Sequence, residues 1–193
     1  MILSNSEILK AISEGFIVIH PTPKIPSLEL PDSPFNTTAL DLRLGNYISI
    51  PIEKSPHAFD LRKGNIADLL NTVYKRREID PHGGFNLDPG QFAIANTLET
   101  IHLPIKPASP CYAARVEGRS SYARCGLMVH FTAPTIHAGW EGNITLELIN
   151  LGKNSICFFR GMYICQIIFE KVEGEIYFTP GQFQGQSTPE GGK

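Results

Sequence analysis

The chain has 193 residues, with 17 Lys+Arg against 19 Asp+Glu and a formal net charge of −2. This length suits one domain built around a single core, and the balanced charge argues against a protein that reads polynucleotides, which usually shows a basic excess or stripe. The N-terminal sequence lacks a basic segment followed by a long apolar run, and no apolar run approaches membrane-spanning length. We therefore expect a cytoplasmic protein with no membrane partner.

The part of the chain before residue 85 is predicted to hold two short helices and two strands. Ser4 or Ser6 can cap the first helix, which runs to about Ser13 and ends at Gly15. The other elements are a strand at 16–20, a proline-rich loop at 21–34, a strand at 39–52 and an amphipathic helix at 66–74. The charged run Lys75-Arg76-Arg77-Glu78 is interpreted as the solvated end of that helix, and its arginines are assigned no ligand.

Beyond residue 85 the pattern is almost entirely β. Short strand-like runs are separated by Gly, Pro and Asn turns, with no βαβ alternation and no internal repeat. The runs lie at 91–95, 99–103, 111–117, 127–132, 143–151, 155–159 and 163–171. Short strands at such spacing predict a sandwich or distorted barrel, here as a single domain over 1–193. The Gly/Pro/Gln-rich tail at 180–193 would be flexible by composition alone.

A polar turn, Gly118-Arg119-Ser120-Ser121, follows the run at 111–117, and Arg124 lies just beyond it. Backbone N–H groups and two hydroxyls at such a turn can face an anion, and the planar arginine fork grips phosphate oxygens bidentately. The alternative is a capped turn with two solvated arginines, since short Gly/Ser/Arg strings are common in loops. The tetrapeptide by itself favours that alternative.

The run at 143–151 places a carboxylate among apolar neighbours. In a strand of period 2, alternate residues share a face. One face holds Ile144, Leu146, Leu148 and Asn150, and the other holds Thr145, Glu147 and Ile149. Glu147 is either an ordinary solvated strand residue or, if its face lines a pocket, a partly desolvated group suited to proton transfer.

Four cysteines are scattered at positions 111, 125, 157 and 165. They lack the close pairing of a zinc site or a disulfide scaffold and are predicted to be buried, reduced thiols. Zinc-dependent nucleobase deaminases need an H-x-E and a P-C-x-x-C element. Here Pro110-Cys111 has Ala114 where the second cysteine would stand, and no His-x-Glu occurs. We therefore expect no metal site and, in particular, no zinc-activated water.

The stretch GRSSYARCGLMVHFTAPTIHAGWEGNITLELINLG, residues 118–152, resembles the core motif of the dCTP deaminases, members of the trimeric dUTPase-like superfamily. MILS at 1–4, ALDLRLG at 39–45 and GMYICQ at 161–166 fit the same family in order, so the resemblance spans nearly the whole chain. It implies a mainly β, distorted β-barrel or jelly-roll-like dUTPase fold with a few short helices. It also implies a homotrimer with sites at subunit interfaces that converts dCTP to dUTP and ammonia, with Mg2+ carried on the triphosphate.

Carried over residue by residue, the resemblance makes Glu147 the group that takes a proton from the attacking water and passes protons to N3 and the amino group of cytosine. Ser120 and Arg124 match residues that fix this water and the glutamate. The resemblance also implies a set of substrate contacts. Arg119, Ser120 and Ser121 contact the phosphates, and Thr145 and Leu146 lie beside the base and sugar. The backbone near Thr132 and Ala133 faces the pyrimidine edge, and Gln166, Tyr177 and Gln186 make later contacts with the nucleotide. The segment 180–193 is implied to close over the bound nucleotide, often on the site of a neighbouring subunit.

Two positions depart from the family pattern. His137 stands where an aspartate is expected, although a neutral imidazole can still hydrogen-bond the sugar hydroxyl. Gln182 stands where a lysine often faces the phosphates, which removes a charge-assisted contact. The leading prediction is a deaminase that releases dUTP, with dTTP as a possible inhibitor. The alternatives are a dUMP-forming deaminase or dUTP pyrophosphatase, against which His137 argues, and a non-catalytic nucleotide-binding regulator.

Overall fold

The computed structural model describes residues 1–25, 33–52, 58–60, 62, 64 and 66–192. Residues 26–32 of the predicted proline-rich loop therefore lie outside the described residues. The helices are α1 (Asn5–Ser13), α2 (Ile66–Val73) and α3 (Ser120–Ala123). The strands are β1 (Val18–His20), β2 (Leu40–Pro51), β3 (Tyr74–Glu78), β4 (Phe85–Leu87), β5 (Phe92–His102), β6 (Cys111–Gly118), β7 (Leu127–Met128), β8 (Thr135–Ile136), β9 (Glu141–Asn150), β10 (Ile156–Phe158) and β11 (Tyr163–Val172).

The predicted mainly β fold with a few short helices is confirmed, and its main sheet is curled into a half-barrel. The strands of this sheet run in the order β7-β9-β5-β2-β11-β6-β8, with β1 added to β5 and β3 added to β2, and every pairing is antiparallel. Strands β4 and β10 form a separate pair. Because alternate side chains of the curled sheet point inward, the core collects branched aliphatic residues from β2, β5, β9 and β11.

Helix α1 follows the sequence prediction closely. The Ser4 hydroxyl accepts from the backbone N–H of Glu7 at 3.4 Å, which satisfies one donor of the first turn. Ile8 and Ala11 are buried against the sheet, and Gly15 takes a φ of +69° just beyond the helix. None of the helices in the described ranges is long and apolar enough to cross a membrane.

Two sequence predictions are corrected by the pairing of β2. Residues 75–78 are not a helix end: they belong to β3, an edge strand paired with residues 47–51 of β2. The runs at 91–95 and 99–103 are one strand, β5, whose pairing shifts register between Asn96 and Thr100. Thr97 and Glu99 are polar but buried, and both find partners: Thr97 donates to the Glu99 carbonyl at 2.8 Å, and Arg43 donates to the Glu99 carboxylate at 2.7 Å.

Candidate active site

Glu147 lies near the middle of β9 on the face that the alternation predicted. Its neighbours Leu146 and Leu148 are fully buried in the core, whereas Glu147 is partly exposed. The backbone N–H of Phe131 donates to its carboxylate at 2.9 Å, and the Glu147 N–H donates to the Val129 carbonyl at 3.0 Å. The segment beside β9 therefore fixes both the backbone and the carboxylate of this residue.

The Glu147 carboxylate faces a cavity of about 660 Å³, a size typical of small-molecule sites. Seven of the predicted site residues line it, namely Thr132, Ala133, His137, Thr145, Glu147, Gln182 and Gln186. Leu146 is a different case, because it is fully buried in the core and does not line the cavity. One cavity thus gathers the predicted proton shuttle and the predicted base-reading segment.

An aromatic wall stands beside Glu147 in this cavity. The Phe92 ring lies 5.6 Å from the Phe131 ring and 6.5 Å from the Tyr74 ring, measured between centroids. Burial raises the pKa of Tyr74, and the nearby negative charge of Glu147 raises it further, so the phenol stays protonated at neutral pH. Tyr74 was missed because the charged run after it suggested a helix end rather than a strand.

The predicted phosphate-binding residues form a second group, which does not line this cavity. Arg119 is held by the Asp41 carboxylate at 3.4 Å and by the Tyr163 carbonyl at 3.4 Å, and its guanidinium lies over the rings of Tyr122 and Tyr163. Burial raises the pKa of Asp41, while Arg119 and a hydrogen bond from Asn36 oppose the rise. Arg119 therefore enters any ligand complex with its orientation already restricted.

The remaining members of this second group lie on or beside α3. Ser120, Ser121 and Arg124 are exposed, so their polar groups face away from the chain's own core. Gln166 on β11 donates to the Gly118 carbonyl at 3.2 Å, which places it beneath the same turn. Tyr177 joins neither group: it is 82% exposed and its hydroxyl bonds to Glu175 at 3.1 Å.

The C-terminal segment from residue 181 to 191 covers part of the cavity. Gln186 donates to the Asn143 carbonyl at 2.7 Å and to the Thr145 hydroxyl at 3.1 Å, and the Gly185 N–H donates to the Glu141 carbonyl at 2.7 Å. Gly142 makes this approach feasible, because its φ is +140° and a Cβ there would lie 2.8 Å from the Gln186 carbonyl oxygen. Composition alone had predicted a flexible segment, and these contacts instead give it a defined place.

Arg76, to which the sequence interpretation assigned no ligand, is paired with the tail. Its guanidinium binds the carboxylate of Glu190, a residue only 2% exposed. The hydroxyl of Ser49, which is fully buried on β2, donates to the other carboxylate oxygen. The two partners are 114 residues apart in the chain, so no local pattern could have joined them.

The cysteines divide into two pairs. Cys111 and Cys165 are buried as predicted, and burial strongly raises the pKa of Cys165, but Cys125 and Cys157 are exposed, so the prediction of buried thiols was wrong for them. All four are free thiols. In the part of the chain that the structure describes, no three or more His, Cys, Asp or Glu side chains form a group that could hold a metal ion.

Sequence comparisons relate the chain to one family of proteins. A family model described as dCTP deaminase-like matches residues 2–172. The chain is 38% identical over 173 residues to a "dCTP deaminase, dUMP-forming" of Dictyoglomus turgidum, covering 89% of this chain and 81% of the relative. It is 36% identical over 176 residues to a "dCTP deaminase" of Rhodospirillum rubrum, covering 88% of this chain and 82% of the relative.

A solved structure shows the same fold. The 2'-deoxycytidine 5'-triphosphate deaminase of Agrobacterium tumefaciens aligns with a TM-score of 0.60 at 21% sequence identity, over 89% of this chain. The match covers 48% of that protein's chain, so this chain spans about half the length of the solved one. At this identity the likeness concerns the fold alone.

Proposed function

Because this chain belongs to the dCTP deaminase-like family, we propose that it is an enzyme of deoxynucleotide metabolism that deaminates dCTP. The products are dUTP and ammonia, formed by addition of one water at C4 of the cytosine and loss of the amino group. The single observation that carries the proposal is the position of Glu147, a carboxylate oriented by the Phe131 N–H at the wall of a cavity large enough for a nucleotide.

Glu147 serves as both base and acid in the proposed reaction. It takes one proton from the attacking water as the water oxygen bonds to C4, and delivers this proton to N3. It then takes the second proton from the new C4 hydroxyl and delivers it to the departing amino group. The tetrahedral intermediate collapses with loss of neutral ammonia, and the carboxylate is regenerated. Backbone groups near Thr132 and Ala133, which line the same cavity, are proposed to read the pyrimidine edge.

A second subunit is proposed to complete the site. Ser120 and Arg124, expected to fix the water and the glutamate, do not line the cavity of their own chain. Since both groups belong to one predicted nucleotide site, the simplest arrangement brings α3 of one protomer to the cavity of another, as closed rotational symmetry allows. The homotrimer, cytoplasmic location and inhibition by dTTP are parts of the proposal that only the family resemblance supports.

Mg2+ is proposed to enter with the substrate. The described residues offer no cluster of side chains suited to a resident metal ion, whereas a triphosphate supplies several oxygen ligands of the kind that Mg2+ prefers. Arg119, Ser120 and Ser121 would then contact the phosphates of this complex, with Arg119 already oriented by Asp41. Bound in this way, Mg2+ neutralises phosphate charge and takes no direct part at the cytosine.

A dUMP-forming deaminase is the second candidate, because the relative in Dictyoglomus turgidum carries that name. His137 weighs against it, since it replaces the aspartate expected to support water attack on the α-phosphate, although it does line the cavity. A nucleotide-binding regulator is the third candidate, and the retained Glu147 weighs against that one.

One experiment separates these candidates. The purified protein is incubated with dCTP and Mg2+, and the nucleotides are resolved by anion-exchange chromatography with an ammonia assay in parallel. Release of dUTP and ammonia in equal amounts is the expected result. Formation of dUMP with pyrophosphate would establish the second candidate, and unchanged dCTP that nevertheless binds would establish the third.

A further inference from the structure

The contact between the tail and β3 contains the most deeply buried carboxylate of the cavity wall. Glu190 is 2% exposed, and Arg76 Nε donates to its Oε2 at 3.1 Å. Arg76 Nη2 and the buried Ser49 hydroxyl also bind the carboxylate, so both of its oxygens have donors. Such two-sided, charge-assisted binding is what a buried carboxylate requires.

This ion pair differs from the other contacts of the tail. Gln186, Ser187 and Pro189 hold the segment through neutral hydrogen bonds of 2.7 to 3.2 Å to Asn143, Asn96 and Thr145. Neutral hydrogen bonds contribute less to stability than charge-assisted ones do. Burial acts to raise the pKa of Glu190, but hydrogen bonds from Arg76 and Ser49 outweigh it and lower the pKa overall. The pair is therefore ionised at neutral pH.

The location of the pair links it to the catalytic cavity. Pro189, Glu190 and Gly191 line the cavity that also contains Glu147. Thr145, two residues before Glu147 on the same strand face, donates to the Pro189 carbonyl at 3.2 Å. Anchoring Glu190 on β3 therefore holds the preceding residues across the mouth of the cavity while its volume of about 660 Å³ stays free.

We propose that Arg76 and Ser49 form a binding site for the Glu190 carboxylate, and that this contact, called here the tail latch, keeps the C-terminal segment closed over the active-site cavity. Arg76 is then a positioning residue that acts through Glu190 rather than on the nucleotide. Release of the latch opens a path for the nucleotide, and its closure limits water and holds the substrate. Only the kinetic part of this proposal rests on the proposed deaminase function.

Hydrogen exchange tests the latch without reference to activity. The variants Arg76→Ala and Glu190→Ala should each raise amide exchange across residues 185–191 by about tenfold or more, the range expected when charge-assisted hydrogen bonds are lost from a local closed state. Arg77→Ala is the matched control: it removes the same charge one residue along β3, where the side chain points to the opposite face. Its tail should exchange like the wild type.

A double-mutant cycle and steady-state kinetics complete the test. If Arg76 acts through Glu190, the double variant exchanges no faster than either single variant, whereas additive effects would overturn the proposal. For dCTP, the latch variants should raise KM several-fold with a smaller change in kcat, because a segment that covers the cavity affects binding most. A lower kcat at unchanged KM would mean that the substitution only reduces the fraction of active protein. That result would overturn the positioning role of Arg76.

The outcomes also distinguish the two proposals. A wild-type protein without deaminase activity would refute the proposed function, while exchange rates would still decide the latch. Unchanged exchange in both Arg76→Ala and Glu190→Ala would refute the latch, whatever the activity. Glu190→Ala removes the acceptor of the buried Ser49 hydroxyl but changes no residue of the sheet, so this variant tests the latch even if Arg76→Ala folds poorly.

Discussion

The N–H of Phe131 donates to the carboxylate of Glu147 across 2.9 Å, so the strand that carries this carboxylate is not the only element that orients it. The segment that contains Phe131 continues directly into Thr132 and Ala133, the residues predicted to read the pyrimidine edge. A single backbone segment therefore orients the carboxylate of the predicted proton shuttle and leads into the residues predicted to face the base. Such preorganisation removes reorientation from the reaction step.

Replacement of Glu147 by glutamine is expected to abolish turnover and keep binding. The amide is nearly isosteric, and its carbonyl oxygen can still accept from Phe131, but it cannot exchange protons with water. We expect kcat to fall by at least about 10²-fold, the usual contribution of general acid–base catalysis. Single-turnover assays measure the rate, and calorimetric titration with dCTP measures binding. Near-normal deamination by this variant would refute the role of Glu147.

Mixed oligomers test whether the site is shared between subunits. Glu147→Gln and Arg124→Ala should each be inactive alone. If each site takes its glutamate from one protomer and its arginine from another, random mixing at equal amounts restores about one quarter of the sites. Co-expression with two different affinity tags, followed by tandem purification, isolates the mixed species, in which one site in three should be active if the oligomer is a trimer. Persistent inactivity would place both residues in the site of a single chain.

The pair of Asp41 and Arg119 predicts a pH dependence of stability. Burial raises the pKa of Asp41 above its ordinary value of 3.8, so the folded state binds this proton more tightly than the unfolded state. The stabilisation is complete below pH 3.8 and is lost as the pH rises through the raised pKa. Asp41→Asn does not undergo this loss. Thermal unfolding should therefore show that the stability of the variant increases relative to that of the wild type as the pH rises from 4 towards neutrality.

Asp41→Asn should also weaken nucleotide binding, because Arg119 loses a charged partner that orients it. The expected result at neutral pH is a higher KM for dCTP without loss of stability. Equal KM values for the two proteins would show that the tyrosine rings and the Tyr163 carbonyl suffice to hold Arg119.

Metal removal should distinguish substrate-borne Mg2+ from protein-bound zinc. EDTA is expected to stop deamination of dCTP, and added Mg2+ to restore it, because the triphosphate carries this ion. A zinc-selective chelator such as 1,10-phenanthroline should leave the rate unchanged in the presence of Mg2+. Inhibition by phenanthroline that zinc reverses would contradict a zinc-free activation of water.

Strand β9 could be predicted from the sequence because its side chains alternate regularly between the two faces. Its buried and half-buried residues follow period 2, because one face packs in the core and the other lines the cavity. The turn at Gly118 was also predictable from its glycine and serine residues at the end of a strand, whereas its role as an anion site stays a prediction that rests on the family resemblance. The separation of this turn from the Glu147 cavity could not be read, because it depends on how the sheet curls.

Non-local pairing explains the predictions that failed. Lys75 to Glu78 carry no apolar residue that would indicate a strand, and they are extended because β2 offers an open edge for pairing. The tail lacks apolar periodicity as well, and its contacts are hydrogen bonds to β9 and an ion pair to Arg76. Secondary-structure propensity depends on residues that are close in the sequence, whereas these segments are held by partners far along the chain.

Substitution of Gly142 offers a way to uncover the cavity. Any side chain at this position would meet the Gln186 backbone, with a Cβ only 2.8 Å from its carbonyl oxygen, yet Gly142 is not among the residues that line the cavity. Gly142→Ala should therefore displace the tail and its cavity-lining residues while leaving Glu147 and the other groups outside the tail in place. Crystals of this variant would admit nucleotide analogues by soaking and suit fragment screening, which a covered cavity resists.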